Sequence, residues 1–192
     1  VSDAIPQILA ATTLTRAGDP VVSTAAAIAR RLDGRLHLAH AHPPPTLFGE
    51  WGAGEVGATP ADDVYAAELA EQLARLAIAD EEVAGRHLDS SPPHRWIARL
   101  SDELAPELVV FGGGEAERVQ RFGLGSTARR LLGCVDRPML VVRQVPTLPP
   151  TRVLAAVDLS ELSGDALRGG LELASRLWRG APAPRIEVVF VL

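Results

Sequence analysis

Three glycines, Gly112, Gly113 and Gly114, cut off a run of strand-forming residues, Leu108 to Phe111, and two more, Gly123 and Gly125, lead into Ser126 and Thr127 at the head of an amphipathic segment. The order is strand, glycine loop, helix. Glycine lets the backbone turn sharply and bring amide N–H groups to a ligand with no β-carbon in the way. A hydroxyl residue at a helix start adds a donor at the positive end of the helix dipole. The chemistry on offer is anion binding, and phosphate is the anion it suits best. His40 and His42, two residues apart, share one face of a strand and would give a metal two ligands, but no third lies near in sequence, so no metal is expected. Cys134 has no histidine-pairing signal and reads as a small core residue. There is no G-x-x-x-x-G-K-[ST] loop, no G-x-S-x-G elbow around Ser126 and no H-E-x-x-H pair, so no catalytic residue is singled out and a non-enzymatic role is expected.

The elements that must position the loop follow from periodicity. Strands are expected over residues 8–12, 36–41, 107–111 and 138–143, with a short one at 86–89. Asp19-Pro20 reads as N-cap and first helical residue of a helix ending at Gly34. Thr59-Pro60 opens a long helix whose apolar face would be Val64, Ala67, Leu69, Leu73, Leu76 and Val83, and Ser91-Pro92 caps a third with Trp96, Ile97, Leu100 and Leu104 inward. Residues 46–58 form a glycine-rich loop carrying Phe48 and Trp51. Strands alternating with helices imply a three-layer α/β/α domain on a parallel sheet, with ligands beyond the carboxyl ends of the strands where the strand order reverses.

After a proline-rich connector, residues 145–150, the chain starts again: Ile8-Leu9-Ala10-Ala11 aligns with Val153-Leu154-Ala155-Ala156, an offset of 145 residues. A helix near 163–178 and a strand at 186–191 would complete a strand, helix, strand repeat. Residues 1–144 are therefore expected to form one domain and 151–192 a partial second unit. Composition agrees with a globular chain: of 192 residues, 47% are apolar and 22% charged. The net charge of -5 without a basic run argues against nucleic acid, and a lone cysteine fits a reducing compartment. No apolar stretch approaches membrane-spanning length and the first residues carry no basic leader, so no membrane partner and a cytoplasmic location are expected.

The glycine segment resembles the nucleotide-binding loop of universal stress proteins, whose pattern is Gly, two residues, Gly, nine residues, Gly, then Ser or Thr. Gly112 and Gly125-Ser126 match it, while Glu115 stands at the middle glycine. The resemblance covers the first unit and roughly a third of a second, as in tandem members. It implies the adenine nucleotide alpha hydrolase-like fold with a five-stranded parallel sheet in the order 3-2-1-4-5, and pairing through the fifth strand as a homodimer or pseudo-dimer. It also implies an ATP or AMP site made by Thr13, Ala41, Gly112, Gly113, Gly114, Gly125, Ser126 and Thr127. In nucleotide-binding members an aspartate closes the first strand and contacts the adenosine; Thr13 holds that place here, and Asp158 holds it in the repeat. Threonine cannot accept with a charged, bidentate carboxylate. A Glu115 carboxylate about 4 Å from a phosphate oxygen would cost on the order of 1 kcal/mol in water and about 4 at a surface-like dielectric. Gly114 serving as the second glycine, or Arg118, Arg121 or Arg129 beside it, would offset that charge. The function implied is a stress-response ligand sensor or scaffold with a degenerate nucleotide loop. One alternative is an ATP- or AMP-binding member with phosphates at the 112–127 loop. Another is a weak nucleotide hydrolase, opposed by the lack of a general base or metal carboxylate at the loop.

Overall fold

The computed structural model describes residues 5–42, 62–113 and 123–190. Its first part is a five-stranded parallel sheet formed by β1 (Gln7–Ala11), β2 (Arg35–Ala41), β3 (Val83–Asp89), β4 (Leu108–Gly112) and β5 (Met139–Val142), in the order β3-β2-β1-β4-β5. The central strands are apolar on both faces because helices cover both. On one side, Ile8, Ala10, Leu36, Leu38, Leu108 and Val110 pack against α1 (Asp19–Arg31) and α2 (Asp62–Arg75). On the other, Leu9, Ala39, Val109 and Phe111 meet α3 (Pro93–Leu104) and α4 (Ser126–Leu131). The parallel sheet, its strand order and its helical layers match the expected fold.

Several local expectations need correction. Gly18, not Asp19, is the N-cap of α1, and no side chain caps it; Asp19 is the first helical residue, its carboxylate drawn to α2. Ser91 does not cap α3, whose N-cap is Pro92; the Ser91 N–H instead donates to Asp89 Oδ1 at 2.6 Å. α2 stops at Arg75, with Val64 and Ala67 exposed, and buries Leu69, Gln72 and Leu73; its expected start at Thr59-Pro60 lies outside the described residues. Val83 belongs to β3, which begins three residues before the expected 86–89 strand, since Ala84 and Gly85 carry little strand propensity and Val83 also fits the spacing of the preceding helix. Cys134 is exposed rather than part of the core, since it follows the last turn of the short α4.

The chain continues into β6 (Arg152–Val157), α5 (Glu161–Leu177) and β7 (Arg185–Phe190), with β6 and β7 paired in parallel. Gln7 pairs with Arg35 and Arg152 with Arg185, so the two strand, helix, strand segments share a starting register. The end of α5 rests on α1: Leu177 joins the first core cluster, and Arg31 Nε donates to Leu177 O at 2.7 Å. Trp178 Nε1 donates to Pro150 O at 2.6 Å, and Arg176 pairs with Glu107. The rest is lightly covered, with Leu154 65% and Val188 58% exposed.

Candidate functional site

The row Ala39, Ala11 and Phe111 aligns β2, β1 and β4, and two residues further along the chain from each stand Ala41, at the end of β2, and Thr13 and Gly113, just past the ends of β1 and β4. Three of the expected site positions thus share one end of the sheet, the carboxyl end, where the strand order reverses between β1 and β4. The Thr12 peptide is fixed from both sides: its N–H donates to Ala39 O at 2.9 Å, and its carbonyl accepts from His40 Nδ1 at 3.0 Å. That anchoring sends Thr13 outward, where its exposed hydroxyl shares a 3.1 Å hydrogen bond with that of Thr15.

Behind Thr13, α2 ties down the loop joining β1 to α1. Gln72, with no exposed surface, accepts from Thr12 Oγ1 at 3.0 Å and donates from Nε2 to Asp19 Oδ1 at 3.0 Å and to Thr15 O at 3.4 Å. Asp19 in turn takes both arms of Arg75, at 2.8 and 2.9 Å. The Arg75 bond holds the Asp19 carboxyl below the usual carboxylate range despite burial. Sequence reading missed this network because its members sit 50 to 60 residues apart and no motif joins them. The one signal was a glutamine at an inward helical position between Leu69 and Leu73.

Across the reversal point, the glycine loop is laced to β5. Gly125 N–H donates to Gly113 O at 2.9 Å, Gly113 N–H to Val142 O at 3.3 Å, and Arg143 Nη2 to Gly123 O at 3.1 Å. These bonds bring Gly112, Gly113, Gly125, Ser126 and Thr127 together, with Ser126 and Thr127 exposed at the start of α4. Gly125 has φ -57° and ψ 160°, a conformation open to any residue. Gly114, Glu115, Arg118 and Arg121 lie outside the described residues, and Arg129 is exposed.

His40 and His42 do share a face. His42 stacks on Tyr65 with ring centroids 4.1 Å apart and lies 3.2 Å from Asp62, while His40 is spent on Thr12 O. Among the described residues, no group of three or more His, Cys, Asp or Glu side chains converges to hold a metal. Burial pushes the His40 imidazole below its ordinary value. At the corresponding place after β6, Asp158 is held at about 2 by the Ser160 hydroxyl, 2.6 Å away, and by the Ser160 N–H at 3.0 Å.

No helix among the described residues is long and apolar enough to cross a membrane. No curated protein matches the chain. Solved structures do: the universal stress protein UspA from Lactobacillus plantarum is 16% identical with a TM-score of 0.54, over 73% of this chain and 100% of that one. A universal stress protein from Archaeoglobus fulgidus is 19% identical with a TM-score of 0.52, over 72% and 98%. A universal stress protein solved in complex with cAMP is 20% identical with a TM-score of 0.52, over 73% and 98%. These likenesses describe the fold, and the model of the universal stress protein family matches residues 5–143. By that match, together with its sheet order, the chain belongs to the universal stress protein family.

Proposed function

We propose that this protein is a stress-response ligand sensor or scaffold whose adenine-nucleotide site is degenerate and binds nucleotide weakly or not at all. The observation that carries the reading is the commitment of Thr13 within its own loop, hydroxyl to hydroxyl with Thr15, at the place where the family resemblance puts an adenosine-binding aspartate. A loop donor is spent as well, since Gly125 N–H bonds Gly113 O. Ala41, Gly112, Gly113, Gly114, Ser126 and Thr127 complete the cradle in this reading, with phosphate at the start of α4. No group at the described part of the loop is arranged as a general base, which favours binding over turnover. Isothermal calorimetry with ATP, AMP and cAMP tests it: binding weaker than about 100 μM supports it, since each tenfold is about 1.4 kcal/mol, and micromolar affinity contradicts it.

A second reading keeps a working nucleotide site. It is favoured by the exposed Ser126 and Thr127 at the helix start and by the fold's likeness to a protein solved with cAMP. Both readings take the protein to be cytoplasmic and to pair through β5. That strand is an open edge beside a groove of about 320 Å³ lined by Leu124, Leu140, Val142 and Pro146. Residues 151–192 are read as a partial second unit of the same kind.

A further inference from the structure

At the opposite end of the sheet, a chain of side-chain hydrogen bonds crosses three strands. Gln7 Nε2 donates to Ile5 O at 2.8 Å, which turns Gln7 Oε1 toward His37 Nε2, also 2.8 Å away. An amide oxygen only accepts, so His37 carries its proton on Nε2 and keeps a lone pair on Nδ1. That lone pair faces His87 Nε2 at 3.2 Å, and His87 must donate. The direction runs from His87 through His37 and Gln7 to Ile5 O, with one tautomer allowed for each ring. Gly85 makes the arrangement possible: a β-carbon there would stand 2.6 Å from His87 Nε2 and 2.7 Å from His37 Nδ1.

We propose that His37 and His87 form a pH-sensitive clip that holds the edge strand β3 onto β2, closed while the pair carries at most one proton and released when both rings are protonated. A first proton goes to His87 Nδ1 and breaks no bond of the chain. A second has only His37 Nδ1 to occupy, and it sets two N–H groups and two positive charges face to face at the 3.2 Å separation. The surroundings agree in sign. Burial lowers both rings, Arg35 on β2 further opposes charge on His37, and Glu103 on α3 favours it on His87. Glu103 is itself shared with Arg99, which also bonds Asp89 at the end of β3. The clip sits where the ladder is weakest: β3 pairs on one side only, and its register with β2 slips between Leu36 and His37. Both rings have lowered proton affinity when folded, so the contribution is complete above the ordinary histidine value and is lost as pH falls through the folded values.

Amide hydrogen exchange of residues 83–89, normalised to residues 108–111 in central β4, reads the release directly. Between pH 7.5 and 5, protection of β3 should fall by up to about tenfold per pH unit from the ordinary histidine value down to the folded value of the second protonation, and level off below it. His87→Gln should flatten that dependence, because a glutamine can present N–H to neutral His37 or flip its oxygen toward the protonated ring. The same pH dependence in both proteins overturns the proposal. If His87→Gln does not fold, ring titration of the unaltered protein decides: two well-separated steps, the lower one clearly depressed, support the clip, and two independent steps near the ordinary histidine value overturn it.

Discussion

Gly18 presses so closely on Thr12 that a β-carbon at Gly18 would stand 2.5 Å from Thr12 Oγ1, with Thr13 N and Oγ1 both at 3.0 Å. The loop after β1 therefore closes over the end of the strand only because position 18 has no side chain. Gly18→Ala should lower stability by about 1–3 kcal/mol, the usual cost of overpacking a tight site. Gly125→Val should cost under about 1 kcal/mol, because its backbone already has a conformation open to valine. Urea melts of the two variants check the contrast, and equal losses would contradict it.

Gln72→Leu keeps the size but removes the acceptor of Thr12 and a donor to Asp19. Leaving buried groups unpaired costs about 1–3 kcal/mol each where water cannot reach. The expected result is a clear fall in the urea midpoint and faster proteolysis in the loop 12–18. An unchanged midpoint would mean that α2 does not hold this loop.

Acid should loosen the site end as well. His40 is kept neutral by burial, so its contribution is complete above about 6.5 and is lost as pH falls through its depressed folded value. His40→Asn offers an amide donor to Thr12 O without a titrating ring. The variant's melting temperature should change less than the parent's between pH 7.5 and 5, and parallel curves would contradict this.

Leu177 joins α5 to the first core, while Gly169 and Gly170 in the same helix have open space around them. Gly170→Ala should raise the stability of residues 161–177 by about 0.5–1 kcal/mol. Leu177→Asp should undock the helix and make residues 151–190 protease-sensitive while residues 5–143 stay folded. Resistance equal to the parent's would show that the contact with α1 is dispensable.

The sheet was legible in the sequence because each central strand is an apolar run bounded by Pro, Gly or a helix cap, as with Val109 to Phe111 before Gly112. What stayed hidden depends on partners distant in sequence. Gln72 stands beside Leu69 and Leu73 on the buried face of α2, and its use depends on Thr12 and Asp19, which only the fold brings to it. β3 was half hidden because Ala84 and Gly85 are poor strand formers and Val83 also fits the spacing of the preceding helix. Asp19 looked like a cap, and Arg75 took its carboxylate instead. The motif named the candidate positions, but the bonds that use up Gly125 N–H and the Thr13 hydroxyl, to Gly113 O just past β4 and to Thr15 in the loop after β1, belong to no spacing rule.

Calorimetric titration with ATP of the parent and of the double variant Thr13→Asp, Glu115→Gly tests most directly the proposed weakening of the nucleotide site at Thr13 and Glu115. A restored carboxylate at the end of β1 and the removal of one negative charge from the loop should tighten binding by at least about tenfold, or 1.4 kcal/mol. Micromolar ATP binding by the parent, or no gain in the double variant, would contradict the account.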